Sequence, residues 1–218
     1  MYDELKAVAA SEGATAFGVA AVEDLAPHYD ALPADQIEGL NYGITIGARV
    51  SAAVLRGCII GPTRHYLHNY RMTNWLLDQT ATKLAIAIQN AGYNAMPIPA
   101  SQIVDWEAQT AHLSHKMIAL RAGIGWIGRN NLLVHPEYGS KIRLATILTD
   151  MPLKTDSPVE QNCGECKKCI EICPVNAIKD SHKDWNKAAC LEKLKYFAKA
   201  HNVGQYICGL CVKVCNPY

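Results

Sequence analysis

Eight of the nine cysteines in this 218-residue chain lie between residue 163 and the C-terminus, in an order that indicates metal–sulfur chemistry. The first four form the run C-x2-C-x2-C-x3-C-P, which ends at Cys173-Pro174. A second run, C-x2-C-x3-C, extends from Cys208 to Cys215, and Cys190 stands between the two runs. Thiolates with this spacing are the ligands of [4Fe-4S] clusters, so we expect the segment to move electrons one at a time.

The number and order of these cysteines match two clusters. In such a run the first three cysteines hold one cube, and the fourth, before proline, holds the other. The same exchange sends Cys215 back to cluster 1, and Cys190 completes cluster 2. The predicted ligands are Cys163, Cys166, Cys169 and Cys215 for cluster 1, and Cys173, Cys190, Cys208 and Cys211 for cluster 2. Cys58 is left over, and we expect it to be a small buried hydrophobic residue.

Two other uses of these cysteines are open. Structural zinc sites also contain C-x2-C pairs, and disulfides form in oxidising compartments. The odd number of cysteines argues against a disulfide framework, and the N-terminus carries no secretory signal. Zinc sites seldom need a triplet followed by x3-C-P. We therefore favour two iron–sulfur clusters.

Composition excludes several other classes. The net charge is +1 and no long basic run is present, so there is no footprint for sequence-independent nucleic-acid binding. No apolar stretch reaches the roughly 18 residues that span a bilayer, which argues against a membrane partner. Without a leader peptide, we expect the chain in the cytoplasm, where reducing conditions suit thiolate-bound iron.

The hydrophobic pattern predicts an α/β domain with a mixed sheet flanked by helices over residues 1–155. A mostly helical, ferredoxin-like domain is expected over residues 156–218. Half of the residues are hydrophobic, which suffices for one large or two small cores. Strands are expected at 16–22, 44–55, 94–99 and 142–148, and helices at 2–12, 69–90, 105–122 and 186–200.

The glycines Gly123, Gly125 and Gly128 match the letters of the dinucleotide motif G-x-G-x-x-G. That motif requires a preceding strand, a following helix and an acidic residue further on. Here the preceding segment is predicted to be helical and no suitable acidic residue follows. We therefore reject a dinucleotide fold and expect a helix C-cap with a tight turn, or a close approach to something flat.

The segment Arg121-Ala-Gly-Ile-Gly-Trp-Ile-Gly-Arg-Asn130, then Gly139-Ser140 and Ile147–Asp150, followed by the cysteine runs, resembles epoxyqueuosine reductases and the related reductive dehalogenases. The resemblance implies a nitroreductase-like α/β domain that binds cobalamin beside a ferredoxin-like domain. It implies electron flow from cluster 2 to cluster 1 and then to a corrinoid cobalt. The implied cobalamin-binding residues are Gly125, Trp126, Gly128, Arg129, Asn130 and Ser140.

Three departures from the family concern the substrate. The chain ends three residues after Cys215, where the tRNA-reducing family continues into helical repeats, so we expect a truncated form and argue against tRNA. The family's acidic proton donor would fall near Gln109, and Asp105 could replace it only with a shifted register. No twin-arginine leader precedes the chain, unlike respiratory dehalogenases. A separate difference lies in the implied cobalamin segment, where Arg129 replaces the family's lysine, which keeps the charge but changes the shape.

A reductase needs a proton donor, because adding electrons to carbon or oxygen builds negative charge. The candidates are Asp105, Tyr66 and His112, followed by His115 and Tyr138. His112 and His115 would share one face of the predicted helix and could bind a metal or flank a ligand, although a solvated helix face explains the same spacing.

These observations favour an oxidoreductase that receives electrons from a ferredoxin or flavodoxin and reduces a small molecule at a cobamide. Two alternatives are a non-catalytic electron carrier or reductive activator for a corrinoid partner protein, and a tetrapyrrole-binding protein without turnover.

Overall fold

The computed structural model describes residues 1–29 and 31–216, which fall into two compact units. Unit 1 contains residues 1–48, 73–124 and 143–159, and unit 2 contains residues 49–72, 125–142 and 160–218. Each unit is thus assembled from three separate stretches of chain. The predicted division at residue 155 stays a prediction. In the structure, residues 49–72 and 125–142, which precede this position, pack with the cysteine-rich segment.

Helices and strands are interspersed along the chain. The α-helices are α1 (Tyr2–Ser11), α2 (Ala34–Ile37), α3 (Ala52–Arg56), α4 (Arg64–Asn90), α5 (His115–Arg121), α6 (Lys168–Glu171), α7 (Lys187–Ala200) and α8 (Leu210–Val214). The strands are β1 (Ala16–Ala21), β2 (Tyr42–Arg49), β3 (Ala95–Ile98), β4 (Trp126–Ile127), β5 (Leu133–Val134) and β6 (Ile142–Thr149). Two 3₁₀ turns cover Glu23–His28 and His182–Asp184.

Unit 1 is built on a sheet with the strand order β1-β2-β6-β3. Strand β1 pairs antiparallel with β2, with Ala16 opposite Gly47, and β3 pairs antiparallel with β6, with Ala95 opposite Thr149. Every residue of β2 from its second to its seventh position is buried. Burial along both faces explains the continuous apolar pattern of the central strands.

Helices α1 and α4 supply the core of unit 1. Leu5 of α1 and Leu77, Leu84 and Ile88 of α4 are at most 1% exposed and belong to the same core cluster as Ile46 of the sheet. Full burial of such side chains contributes roughly 2 kcal/mol each. Helix α4 ends at Asn90, and Gly92 follows with φ +90°, the left-handed conformation that stops a helix.

Unit 2 contains the short hairpin of β4 and β5, in which Trp126 pairs with Val134, and the helices α3, α6, α7 and α8. Its core cluster includes Leu55, Tyr66, Tyr70 and Cys58. As expected, Cys58 is completely buried. The unit therefore has its own apolar centre in addition to the cysteine segment.

Two predicted elements are wrong. The strand expected at 44–55 ends at Arg49, because the Ser51 hydroxyl accepts from the Val54 N–H at 3.3 Å and starts helix α3. The helix expected at 105–122 covers only His115–Arg121. Before it, the Asp105 carboxylate accepts from the backbone N–H groups of Glu107 and Ala108, and this local turn competes with the helix.

Among the described residues, none of the helices combines the length and apolarity needed to cross a lipid bilayer.

Candidate metal centre

The cysteines of the predicted cluster 1 lie together in unit 2. Burial, and then the neighbouring thiols of Cys215, Cys163 and Cys166, raises the pKa of Cys169 to about 11. These are the four residues of the predicted set. Cys169 lies in the short helix α6, while Cys163 and Cys166 belong to the turn that precedes it.

The predicted cluster 2 cysteines form a second group. Burial raises the pKa of Cys211 far above its usual range, and the thiols of Cys208, Cys190, Cys169 and Cys173 add to it in that order. The presence of Cys169 among these neighbours shows that the two groups adjoin.

Cys208 and Cys190 of this second group also have other cysteines of the predicted cluster 2 as neighbours. Burial raises the pKa of Cys208 to about 11; the Leu210 N–H lowers it, and the thiols of Cys190 and Cys173 raise it. Burial and then Cys173 raise the pKa of Cys190.

These thiols fit the donor chemistry of iron–sulfur clusters. All nine cysteines of the chain are free thiols. Each of the eight predicted ligands is at least partly exposed. Thiolates are soft ligands, and metal binding has to displace the protons that the raised pKa values retain. Within residues 1–29 and 31–216, no group of three or more His, Cys, Asp or Glu side chains is placed to hold a single metal ion.

Local helix signals position the cluster 2 thiols. The Asn186 side chain accepts from the Ala189 N–H at 3.0 Å and caps α7, which carries Cys190. Gly209 precedes α8 with φ +85°, and a side chain there would meet the Tyr66 ring at 2.8 Å. Only glycine therefore suits the turn between Cys208 and Cys211.

Cys215 is held by the segment that follows Tyr138. Gly139 has φ +63°, and a Cβ atom there would lie 2.1 Å from the Cys215 carbonyl oxygen and 3.1 Å from its Sγ. The Lys141 ammonium donates to the same carbonyl and, at 2.5 Å, to Asn216 Oδ1. Burial lowers the pKa of Lys141, and the Cys215 thiol opposes this shift. Both residues thus anchor the last predicted ligand of cluster 1.

The predicted cobalamin segment lies beside cluster 1, but most of its members support the backbone. A Cβ atom on Gly125 would lie 2.0 Å from the Val134 carbonyl oxygen. One on Gly128 would lie 2.5 Å from the Val134 side chain and 3.5 Å from Cys163 Sγ. These glycines let the hairpin of β4 and β5 close, so they satisfy the tight-turn expectation.

Two more members of the predicted segment bond to each other. The Asn130 side chain donates to the Ser140 hydroxyl at 3.1 Å, in a buried position, and its oxygen accepts from the Leu132 N–H. Their direct contact with a cofactor stays a prediction.

Trp126 lines a cavity of about 440 Å³ together with cysteines of the predicted cluster 1. The side chain is 5% exposed, and its indole N–H is buried with no hydrogen-bond partner in the described part of the chain. A buried donor of this kind is costly unless a bound group supplies an acceptor. The lining residues are Trp126, Val134, Gln161, Asn162, Cys163, Gly164, Glu165, Cys166, Cys215 and Asn216.

Arg129 holds the first cysteine turn. Its guanidinium donates to the carbonyl oxygens of Cys166 at 3.0 Å and Gly164 at 2.8 Å. A lysine could not form this two-pronged contact in the same way, because an ammonium lacks the planar fork of donors. Arg129 also lines a second cavity of about 250 Å³ with Cys163 and His182.

The predicted proton donors occupy different settings. Asp105 is exposed in unit 1, and its carboxylate is engaged by the turn described above. Tyr66 is 5% exposed and packs edge-on against Tyr70, with ring centroids 6.3 Å apart. His112 lies outside any helix, so the predicted helical pair with His115 is wrong.

His115 and Tyr138, the further candidates, are engaged elsewhere. The His115 ring bonds Thr146 Oγ1 at 2.8 Å and the Pro99 carbonyl at 2.9 Å, so both its nitrogens are occupied. Tyr138 stacks on His135 at 4.4 Å and lies beneath the Arg49 guanidinium at 5.0 Å.

Sequence reasoning missed Lys141 and the role of Gly139 against Cys215. No spacing rule connects them to a cysteine so distant in sequence. The one available signal was the Gly139-Ser140 pair in the family resemblance.

Residues 162–217 match the family of 4Fe-4S double cluster binding domains. The structure places this segment in unit 2, and the chain has the fold of two kinds of reductase. It superimposes on the epoxyqueuosine reductase of Streptococcus thermophilus with a TM-score of 0.69 and 19% identity, over 98% of this chain and 65% of that one. A catabolic reductive dehalogenase bound to 3-bromo-4-hydroxybenzoic acid gives 0.74 and 21%, over 97% and 31%.

The chain's cysteine-rich segment is thus similar to double [4Fe-4S] domains, and the chain has the fold of these reductases. In sequence the chain is also similar to proteins named epoxyqueuosine reductase. The protein of that name from Listeria monocytogenes is 39% identical over 118 residues, which is 50% of this chain and 30% of the relative. That from Synechococcus sp. is 32% identical over 142 residues, or 65% and 39%. The chain therefore aligns with less than half of these relatives.

These findings confirm the predicted resemblance to epoxyqueuosine reductases and reductive dehalogenases. They also confirm the two-cluster segment and the α/β fold with a ferredoxin-like part. The zinc and disulfide alternatives receive no support.

Proposed function

We propose that this chain is an oxidoreductase that delivers low-potential electrons from two [4Fe-4S] clusters to a cobamide for the reduction of a small molecule. The similar proteins support this proposal: they include epoxyqueuosine reductases and a reductive dehalogenase whose structure suggests a mechanism for B12-dependent dehalogenation, with a TM-score of 0.66.

One observation carries the proposal: the Trp126 indole and three cysteines of the predicted cluster 1 line the same cavity. A reducible group in this cavity would lie next to the cluster that feeds it. The Trp126 ring forms part of the wall of this cavity, and the cysteine thiols lie on the side from which electrons would arrive. When bound, a cobamide would supply a cobalt centre that accepts electrons one at a time.

The chain's own residues hold the ligands in place. The first predicted ligand turn is fixed through the Cys166 carbonyl by Arg129, and the last ligand through the Cys215 carbonyl by Lys141. Because both contacts use the backbone, the thiols remain available for iron. The two cations also offset part of the negative charge that four thiolates bring to the site.

Asp105 is the best of the three predicted proton donors. It is exposed, so its carboxyl can exchange protons with water, and it lies in a loop. A Bacillus subtilis structure of epoxyqueuosine reductase, with a TM-score of 0.67, has a catalytic aspartate loop swung out of its active site. By analogy, we propose that the Asp105 loop serves proton delivery.

Metal analysis and cobamide titration test the proposal. Protein reconstituted anaerobically with iron and sulfide should contain about eight iron atoms per chain and bind hydroxocobalamin, visible as a shifted corrinoid spectrum. Trp126→Phe should keep the iron and weaken cobalamin binding about threefold, because the smaller ring removes apolar contact area from the cavity. Trp75→Phe, at a position 60% exposed in unit 1, is the matched control.

Two outcomes would contradict the proposal. A colourless zinc protein would remove its basis altogether. An eight-iron protein that binds no cobalamin would leave only the second candidate.

The second candidate is a non-catalytic carrier or activator for a corrinoid protein. It is favoured by the engagement of the Asp105 carboxylate in its own turn, where it accepts from two backbone N–H groups at 2.8 Å each. Cluster reduction without turnover of any small molecule would support it.

A further inference from the structure

The net charge of the whole chain is close to zero, but the two units carry large net charges of opposite sign. Unit 2 contains 15 Lys and Arg against 7 Asp and Glu, a net charge of +8. Unit 1 contains 6 Lys and Arg against 13 Asp and Glu, a net charge of −7. These counts leave out the thiolates and iron of the predicted clusters, which are net negative and offset part of this charge. The side chains around the cysteines are nevertheless mainly basic, and such a surface attracts acidic partners.

Part of this positive charge is concentrated on helix α7. Its 14 residues include four lysines and one glutamate, a net charge of +3. Several other cations of unit 2 are engaged by backbone carbonyls, such as Lys213, which donates to the Cys58 carbonyl at 2.6 Å. Two α7 lysines lie at the surface: Lys199 is exposed, and the Lys195 side chain is 44% exposed and donates to the Glu192 carboxylate at 2.7 Å.

Exposed apolar side chains adjoin this charge. Ile59 and Ile60 are 75% and 77% exposed, and Tyr196 of α7 is 57% exposed. They are neighbours because a Cβ atom on Gly61 would lie 2.8 Å from the Phe197 ring and 2.7 Å from the His201 ring, at the end of α7. Two consecutive isoleucines left this open are unusual for a surface that meets only water.

The same surface adjoins the predicted cluster 2. Helix α7 carries Cys190, and the isoleucine loop begins at Cys58. The Cys58 sulfur lies 3.3 Å from the Cβ position of Gly209, the residue after Cys208. We call the surface formed by Ile59, Ile60, Lys193, Lys195, Tyr196 and Lys199 the donor face.

We propose that the donor face docks a small acidic one-electron carrier protein and admits electrons at cluster 2. This inference rests on the proposed function. In the step, the carrier is oxidised by one electron and cluster 2 is reduced by one; no bond forms and no proton moves. The lysines steer the acidic carrier, while the apolar centre provides the short-lived contact.

A protein partner suits this surface better than a nucleic acid. Phosphate contacts need basic side chains but gain nothing from exposed isoleucines. Transient protein interfaces combine an apolar centre with a charged rim, as here.

Stopped-flow reduction of the reconstituted chain by an acidic flavodoxin hydroquinone tests the proposal. At about 0.05 M salt, Lys195→Glu/Lys199→Glu should lower the second-order rate on the order of tenfold. At about 0.5 M salt the difference should shrink to about twofold, because exposed charges are then screened. Ile59→Ser/Ile60→Ser should slow the reaction at both salt concentrations.

The matched control is Lys6→Glu/Lys83→Glu, which makes the same charge change on helices of unit 1 and should react at nearly the wild-type rate. Dithionite reduction of every variant reports the clusters themselves. Full dithionite reduction with equal flavodoxin rates in the donor-face and control variants would overturn the docking proposal alone.

A chain without clusters would instead overturn the proposed function as well. If the donor-face lysines proved to bind a tRNA stem-loop at physiological salt without affecting the flavodoxin rate, the surface would be a nucleic-acid site and the proposal would be wrong.

Discussion

Replacing Gly139 with alanine is expected to displace Cys215 and empty the predicted cluster 1. Gly139 has φ +63°, so any side chain costs about 1–2 kcal/mol in backbone strain. The larger effect is steric. The new Cβ would lie 2.1 Å from the Cys215 carbonyl oxygen, and the usual closest separation of carbon and oxygen is about 3.3 Å.

The Cys215 backbone would therefore have to move by about 1 Å. Metal sites tolerate errors of only about 0.2 Å in ligand distance, and the Lys141 contact to the same carbonyl would be lost in the movement. We expect iron content to fall from about eight to about four atoms per chain, with cluster 2 retained.

Gly204→Ala is the control that distinguishes backbone strain from displacement of Cys215. Gly204 belongs to the same unit and has φ +59°, but a Cβ there meets nothing within 4 Å. This variant should lose only about 1 kcal/mol of stability, or about 2–4 °C in Tm, and keep all its iron. Iron and sulfide analysis with electron paramagnetic resonance of the reduced proteins distinguishes the two. A Gly139→Ala protein with about eight iron atoms and the Tm of Gly204→Ala would refute the reasoning.

Burial lowers the pKa of His115 from 6.5 to about 4, with Arg143 and His112 adding to the shift and the Pro99 carbonyl opposing it. The unfolded chain therefore takes up a proton at a higher pH than the folded chain, so the free energy of unfolding should fall by about 3 kcal/mol between about pH 6.5 and about pH 4. This fall should be absent in His115→Gln. Urea midpoints that change with pH by the same amount in both proteins would contradict this. Cys58→Ser should leave iron unchanged and cost about 1 kcal/mol by urea unfolding; loss of iron would make Cys58 a ligand. Cys169→Ala should lose cluster 1, and retention of about eight iron atoms would disprove the assignment.

Much of the site could be read from the sequence because its signals are local. The spacing of the first cysteine run specifies which thiols can reach one cube, and the count of eight closes only with Cys190 included. Helix α7 has a side-chain cap at Asn186, and helix α4 stops before Gly92. Each of these signals, namely cysteine spacing, a helix cap and a glycine in the left-handed conformation, involves only a few neighbouring residues. A single sequence is therefore enough to detect them.

The tertiary structure decided how distant segments combine. The apolar pattern after Asp105 suits a helix, but the hydrogen bonds of the Asp105 carboxylate form a turn there in its place. Only the folded chain shows this turn. Packing of residues 49–72 and 125–142 with the cysteine segment sets Gly139 against Cys215 and sorts the charges into an acidic and a basic unit. The sequence by itself predicts the cluster ligands, because cysteine spacing is a local pattern. The contacts that support these residues, and the donor face, depend on residues far apart in the chain, which no local pattern encodes.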